Sequence, residues 1–189
     1  MRRLAIVFCL VAVSGSTYSQ DRAHITDDDS SKGAAVTTQT IYNYRKVDEQ
    51  FVTAGQPRTA ELRAAAAEGF KRVINLAPTS SRNALPDEAG VVRALGLAYD
   101  YIPVDWEKPT DADFAAFERA MQAAGADKTI VHCAANYRAS AFYSLYAMKH
   151  LSWSQARAEE FRSSIWKSSD YPVWEEFIRR TQARILGTD

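Results

Sequence analysis

The chain has 189 residues, with 23 basic and 23 acidic side chains and 47% apolar residues, which is a composition typical of globular proteins. This composition excludes a wholly disordered chain, a collagen-like chain and a protein with several membrane spans. The balanced charge argues against bulk nucleic-acid binding, which requires a basic surface.

Residues 1–19 have the layout of a secretory signal peptide. Arg2 and Arg3 precede a short apolar run, and small polar residues follow that run. The run is too short to remain as a membrane-spanning helix, so we expect a periplasmic or secreted protein with no stable membrane insertion after cleavage. Cleavage would remove Cys9 and leave Cys133 as the only cysteine of the mature chain.

Residues 20–40 contain few large apolar side chains and are predicted to be a flexible linker. Residues 41–189 alternate short apolar stretches with amphipathic ones and are predicted to form one catalytic domain. Strands are expected at 50–54, 72–76, 97–104 and 129–131, and helices at 59–68, 86–95, 110–125, after 136, at 152–161 and at 172–186. This alternation predicts an α/β fold with a mostly parallel central sheet of four to five strands flanked by helices.

The loops that follow the carboxyl ends of parallel strands converge on one ligand site. One of these loops begins at Cys133 and leads to Arg138 at the start of a helix. Backbone N–H groups of such a loop, the helix N-terminus and a guanidinium all attract the same anion. The same positive field favours the thiolate form of Cys133, so the loop predicts a nucleophile beneath a bound tetrahedral anion.

The stretch HCAANYRAS, from His132 to Ser140, resembles the signature loop of the cysteine-dependent protein tyrosine and dual-specificity phosphatases. The RVINL strand and the acid-containing YDYIPVD segment resemble compact dual-specificity phosphatases. GQP near the domain start and the HCAANYRAS stretch are similar to a bacterial phosphatase-like family, some of whose domains are fused to β-lactamase-like hydrolases. The resemblance covers roughly residues 44–165. It implies a dual-specificity-phosphatase-like fold, a phosphorylated small molecule or protein as substrate, and chemistry that needs no metal and no cofactor.

The loop departs from the phosphatase pattern in its length. The phosphatase signature places five residues between cysteine and arginine, whereas this chain has four, and no glycine is among them. Asn136 is the best candidate for a left-handed backbone position there, because asparagine tolerates that conformation. A four-residue spacing resembles that of rhodanese-like sulfurtransferases, which carry a persulfide on the cysteine. The loop length therefore favours a sulfurtransferase, whereas the surrounding sequence favours a phosphatase.

The resemblance implies catalytic roles for Cys133 as nucleophile, Arg138 as anion ligand and Asp105 as general acid. The backbone N–H groups that would bind the anion belong to Ala134, Ala135, Asn136, Tyr137 and Arg138. His132 would orient the loop, and Ser140 would assist departure of the thiolate.

Other carboxylates could replace Asp105 as the acid; the rivals are Asp87, Asp100 and Glu107. Trp106 either packs against neighbours or closes over the site, whereas Trp166 and Trp174 have spacings typical of packing between helices. The sequence therefore predicts hydrolysis of a phosphomonoester, including phosphotyrosine, through a phosphocysteine. Two alternatives stay open: a rhodanese-like sulfurtransferase, and a catalytically weak module that binds phosphate or another anion.

Overall fold

The computed structural model describes residues 35–188. The predicted signal peptide and most of the predicted linker lie outside this range and stay predictions. The linker was predicted to extend to residue 40, but Thr38–Thr40 forms a 3-10 turn and the Thr38 N–H donates to Glu68 Oε1 at 2.9 Å. The folded part therefore begins before residue 41. The apolar pattern of the sequence did not indicate this, because the segment is attached through polar side chains.

A five-stranded, mostly parallel sheet forms the centre of the fold and confirms the predicted α/β class. Its strands are β1 (Arg45–Lys46), β2 (Phe51–Ala54), β3 (Arg72–Asn75), β4 (Ala98–Tyr101) and β5 (Thr129–His132). The order is β1-β2-β5-β3-β4, and only β1 runs antiparallel to its neighbour. The sequence pattern did not predict β1, since two residues are too few to show an alternation of apolar and polar side chains.

In the described part of the chain, six α-helices connect or follow the strands: α1 (Thr59–Ala67), α2 (Glu88–Ala94), α3 (Asp111–Ala124), α4 (Tyr137–His150), α5 (Gln155–Ser163) and α6 (Pro172–Leu186). The limits of α3 follow from its ends, because Thr110 accepts from the Asp113 N–H and Gly125 ends the helix with a positive φ of 53°. None of the helices in residues 35–188 is long and apolar enough to cross a membrane.

The alternating side chains of the sheet form two apolar layers, one on each face. On one face, Ile74 and Val131 pack with residues of α3, α4 and α6, including Phe142 and Trp174. On the other face, the neighbouring strand residues pack against α1 and α2 in two smaller clusters. The central helix α4 lies in the larger layer and is buried along most of its length, so its N-terminus has a fixed position at the end of β5.

Candidate active site

The loop from Cys133 to Asn136 connects the end of β5 to the start of α4. Cys133 is buried, with 1% of its surface exposed, and its N–H donates to Ala54 O at 3.2 Å. The preceding residue, His132, pairs with Ala54 of β2 on one side and with Asn75 of β3 on the other. The nucleophile predicted from the sequence therefore lies directly beyond the carboxyl ends of the central strands, as expected for a ligand site in a parallel sheet.

Polar groups hold the loop from outside through its carbonyl oxygens. Ala134 O accepts from the Gln56 backbone N–H at 3.3 Å and from Asn83 Nδ2 at 2.8 Å. Ala135 O accepts from Asn43 Nδ2 at 3.0 Å. Because these carbonyls point away from the loop centre to their donors, the peptide N–H groups are left to face the opposite side.

Asn136 has a left-handed backbone, with a φ of 70°, and this confirms the conformation predicted for it. Its Nδ2 donates to Asn43 O at 2.7 Å, while the Asn43 side chain donates back to the loop. Asn43 is itself left-handed, with a φ of 51°. The pair forms a reciprocal amide clamp, which offsets the strain of two non-glycine residues at positive φ.

Several hydrogen-bond donors of the loop and of Arg138 have no partner in the described part of the chain. Within residues 35–188, the backbone N–H groups of Ala134, Ala135, Tyr137 and Arg138 donate to no protein acceptor. The Arg138 side chain is 8% exposed, its Nε has no hydrogen-bond partner, and no carboxylate of the described part of the chain forms an ion pair with it. A buried guanidinium without a counterion is costly, so this arrangement fits an anion that supplies the missing charge.

Aromatic rings fix the orientation of Arg138. Its guanidinium carbon lies 5.2 Å from the centre of the Trp106 ring, which is within range of a cation–π contact. Trp106 also packs against Tyr137, with ring centres 6.1 Å apart, and its carbonyl accepts from Trp174 Nε1 at 2.9 Å. Trp106 is therefore part of the packing between the loop and α6, and Trp174 is a packing residue as predicted.

Asp105 precedes Trp106 and lies at the end of a segment that continues β4. The segment is attached to the sheet, since the Val104 N–H donates to Leu76 O at 3.1 Å. Asp105 is exposed, and its Oδ1 accepts from the Glu107 N–H at 2.9 Å. The contact between Trp106 and Arg138 thus brings the segment that carries Asp105 beside the Cys133 loop.

Two of the rival carboxylates have structural partners elsewhere. Asp100 lies 2.5 Å from Arg72 Nη1, and Asp87 accepts from the Gly90 N–H at the start of α2. Glu107 is exposed and adjoins Asp105. Of the four candidate acids, Asp105 and Glu107 are exposed and form no ion pair among the described residues.

The supporting residues His132 and Ser140 are both fully buried. His132 Nε2 lies 2.9 Å from Glu88 Oε1, below the loop. The Ser140 hydroxyl donates to Tyr137 O at 3.1 Å and accepts from Trp166 Nε1 at 3.0 Å. In this structure Ser140 therefore connects α4 to the aromatic cluster, and its predicted role in thiolate departure stays a prediction.

Gly55, in the GQP segment, allows β2 to pass close to the loop. A Cβ at this position would lie 2.9 Å from Tyr42 O and 3.2 Å from Ala134 O, and both are backbone atoms. We expect Gly55→Ala to lower the free energy of unfolding by about 1–3 kcal/mol, because neither carbonyl can move without breaking its own contacts. Urea denaturation measures this change, and an unchanged midpoint would show that the loop is loosely packed there.

Several site residues were not predicted from the sequence, namely Asn43, Gln56, Asn75, Asn83 and Glu88. Asn75 could have been recognised in part, because Asn75 and His132 are polar residues at the ends of two apolar strands. Their adjacency depends on the strand order, which local patterns do not specify. The described residues contain no group of three His, Cys, Asp or Glu side chains arranged to hold a metal ion.

Comparison with known proteins agrees with this geometry. A family model described as "Beta-lactamase hydrolase-like protein, phosphatase-like domain" matches residues 43–149. The chain belongs to this family. Proteins described as beta-lactamase hydrolase-like in Xylella fastidiosa (strain Temecula1) and Agrobacterium fabrum (strain C58) are 35% and 33% identical to it over 102 and 103 residues. These matches cover 52% and 53% of this chain but only 23% and 24% of those relatives.

Solved structures show the same fold. A candidate phosphatase of Shewanella putrefaciens CN-32 has 34% identity and a TM-score of 0.72, with 77% of this chain and 92% of that chain covered. P. aeruginosa TpbA shares the fold with 17% identity and a TM-score of 0.62, covering 78% of this chain and 91% of that one. The family domain therefore has the fold of the protein tyrosine and dual-specificity phosphatases, as the HCAANYRAS stretch predicted.

Proposed function

We propose that this chain hydrolyses a phosphomonoester through a phosphocysteine at Cys133. The observation that carries the proposal is the buried, unpaired Arg138 beside the free N–H groups of the loop. The proposal has these donors bind a tetrahedral dianion next to the Cys133 sulfur. Planar guanidinium donors and backbone amides bind such an anion well, and they stabilise the charge that develops in the transition state.

The reaction would proceed in two displacements. The Cys133 thiolate attacks phosphorus, an S–P bond forms and the ester P–O bond breaks, while the protonated Asp105 carboxyl gives its proton to the leaving oxygen. Water then attacks the phosphocysteine and gives a proton to the Asp105 carboxylate. The S–P bond breaks, which releases inorganic phosphate and restores the thiolate.

The substrate class is also part of the proposal. One solved structure of P. aeruginosa TpbA is a complex with pTyr, and it covers 77% of this chain with a TM-score of 0.59. Around the loop of this chain, Trp106, Tyr137 and Tyr171 form a partly exposed aromatic cluster. Such rings would pack against an aryl group, so an aryl phosphate such as phosphotyrosine is the substrate class we propose.

A second candidate function is sulfur transfer, which the four-residue spacing between Cys133 and Arg138 favours. The two functions are separated by measuring aryl phosphate hydrolysis and thiosulfate-to-cyanide sulfur transfer on the same preparation. We expect hydrolysis of the aryl phosphate and no catalytic sulfur transfer. Sulfur transfer without hydrolysis would contradict the proposal, and phosphate binding without either reaction would indicate an anion-binding module.

The general acid is tested by Asp105→Asn. The asparagine Oδ1 can still accept from the Glu107 N–H, so the turn should persist. Loss of a general acid should lower kcat by about 10²-fold or more for an alkyl phosphate, whose leaving oxygen needs a proton. The effect should be much smaller for a nitrophenyl phosphate, whose leaving group departs as an anion.

Glu107→Gln is the matched control for this assignment, because it changes the neighbouring exposed carboxylate in the same way. In steady-state kinetics with both substrates, the kcat of this control should stay close to that of the unsubstituted protein. The Asp105 assignment is wrong if Asp105→Asn keeps full turnover of the alkyl phosphate, and Glu107 replaces it if the control loses activity instead.

A further inference from the structure

A buried carboxylate lies beneath the nucleophile. Glu88, in the first turn of α2, is 6% exposed. Its Oε2 accepts from Asn75 Nδ2 at 2.6 Å and from the Tyr99 hydroxyl at 3.3 Å. Its Oε1 accepts from Gln56 Nε2 at 3.2 Å and lies 2.9 Å from His132 Nε2. Four strands or loops thus direct polar groups at one carboxylate.

The network holds Glu88 as an anion. Burial alone would raise its pKa, but the charge of His132 and hydrogen bonds from His132, Gln56 and Tyr99 outweigh burial and keep the pKa below its usual range. Burial raises the pKa of Tyr99 to about 12, so its hydroxyl remains a donor to the carboxylate. The His132 ring is fully buried, and its Nε2 lies 2.9 Å from Glu88 Oε1, so the carboxylate offsets part of the cost of burying that ring.

The same carboxylate is attached to both sides of Cys133. On the N-terminal side it pairs with His132, the residue directly before the nucleophile. On the C-terminal side it accepts from the Gln56 side chain, while the Gln56 backbone N–H donates to Ala134 O, directly after the nucleophile. Movement of Cys133 away from its position would therefore disturb one or both of these connections.

We propose that Glu88 is a positioning residue that fixes the Cys133 sulfur relative to the bound anion, acting through His132 and Gln56. It does not touch the substrate. This inference rests on the proposed function only in the choice of assay, which is aryl phosphate hydrolysis. The position of Cys133 Sγ would matter equally if the protein transferred sulfane sulfur instead.

A different set of contacts holds the anion-binding part of the loop. Asn43 and Asn136 clamp the loop at Ala135, and Arg138 is oriented by Trp106. None of these contacts passes through Glu88. Loss of Glu88 should therefore impair attack by sulfur far more than binding of the anion.

Glu88→Gln tests this division. An amide nitrogen would face donors at one end of the side chain, either Asn75 or the Gln56 and His132 pair. We expect kcat for the aryl phosphate to fall about 10- to 100-fold, whereas KM and the dissociation constant of inorganic phosphate change by less than about threefold.

Glu118→Gln is the matched control. Glu118 also pairs with a histidine, since it lies 2.7 Å from His150 Nε2, but this pair is at the opposite end of α4. Both substitutions convert a carboxylate–histidine pair into an amide–histidine pair. The control should keep kcat within about twofold of the unsubstituted protein.

Amide hydrogen exchange gives a readout that does not depend on activity. In Glu88→Gln, exchange at the Cys133 and Gln56 N–H groups, which bond to Ala54 O and Ala134 O, should increase about tenfold relative to Ile130 in the middle of β5. A merely destabilised protein would accelerate all three equally. If Glu88→Gln does not fold, Tyr99→Phe removes the hydroxyl that donates to Glu88 and accepts from Asn75 Nδ2, and it should shift both readouts in the same direction by about two- to threefold.

The outcomes separate the two proposals. Unchanged kcat and unchanged relative exchange in Glu88→Gln would overturn the positioning role, whatever the reaction is. If the unsubstituted chain transfers sulfur and does not hydrolyse phosphate, the proposed function fails, but the same loss in kcat and the same local exchange would still support the role of Glu88. A parallel loss of phosphate affinity and kcat would also contradict the division between sulfur placement and anion binding.

Discussion

Replacing Cys133 with serine is expected to abolish aryl phosphate hydrolysis and to leave phosphate binding intact. In the proposed mechanism the cysteine sulfur attacks phosphorus, and a serine hydroxyl in the same place is a much weaker nucleophile. We expect kcat to fall at least about 10³-fold, as when a nucleophile is removed from other enzymes. Because the proposed ligands of the anion are Arg138 and the loop N–H groups, the dissociation constant of phosphate should change by less than about threefold.

The second cysteine of the sequence supplies the control for this prediction. In the uncleaved full chain, Cys9→Ser should retain full activity, since Cys9 belongs to the predicted signal peptide. Initial-rate kinetics and calorimetric titration with phosphate measure the two effects. Residual hydrolysis above about a tenth in Cys133→Ser would mean that another residue, or a contaminating enzyme, carries the reaction.

Replacing Arg138 with lysine should have the second largest effect. Lysine keeps the charge but loses the planar fork that binds two oxygens of one anion. We expect kcat/KM to fall about 10²- to 10³-fold, the effect of losing a donor that stabilises charge in the transition state. Phosphate affinity should also fall, because Arg138 is unpaired until an anion binds.

Arg162→Lys is the matched control for Arg138→Lys. Arg162 is the other buried arginine of α4 and α5, with 2% exposed, but it is paired with Glu159 and donates to Ser144 Oγ at 3.0 Å. Its substitution should lower the free energy of unfolding by about 1–3 kcal/mol and leave phosphate affinity unchanged. Arg138→Lys should show the reverse pattern, and equal losses of stability with unchanged phosphate affinity would assign Arg138 a structural role.

The sequence predicted much of the fold because local patterns specify most of its elements. Helix α3 was placed correctly by Thr110 and Gly125, which cap it, and by apolar residues at helical spacing. Strand β5 was recognised from a short apolar run before Cys133. The left-handed Asn136 was predicted because the loop needed such a residue and contains no glycine.

The parts of the site that were missed depend on contacts between distant segments. Glu88 follows Asp87 and stands at the start of a helix, where a carboxylate normally faces solvent. Only the tertiary fold brings it to Gln56, Asn75 and His132, which belong to different elements. The Asn43–Asn136 clamp likewise joins residues that are far apart in the chain, so no local pattern could indicate it.

Trapping of the covalent intermediate tests the central claim most directly. The protein is mixed with an aryl phosphate, quenched in acid within the first turnover and digested, and the peptide that contains Cys133 is examined by mass spectrometry. The account predicts a mass increase of one phosphoryl group on Cys133, and no such increase in Cys133→Ser. A peptide that never carries phosphoryl during turnover, or that gains a single sulfur atom after thiosulfate treatment and turns over only sulfur, would contradict it.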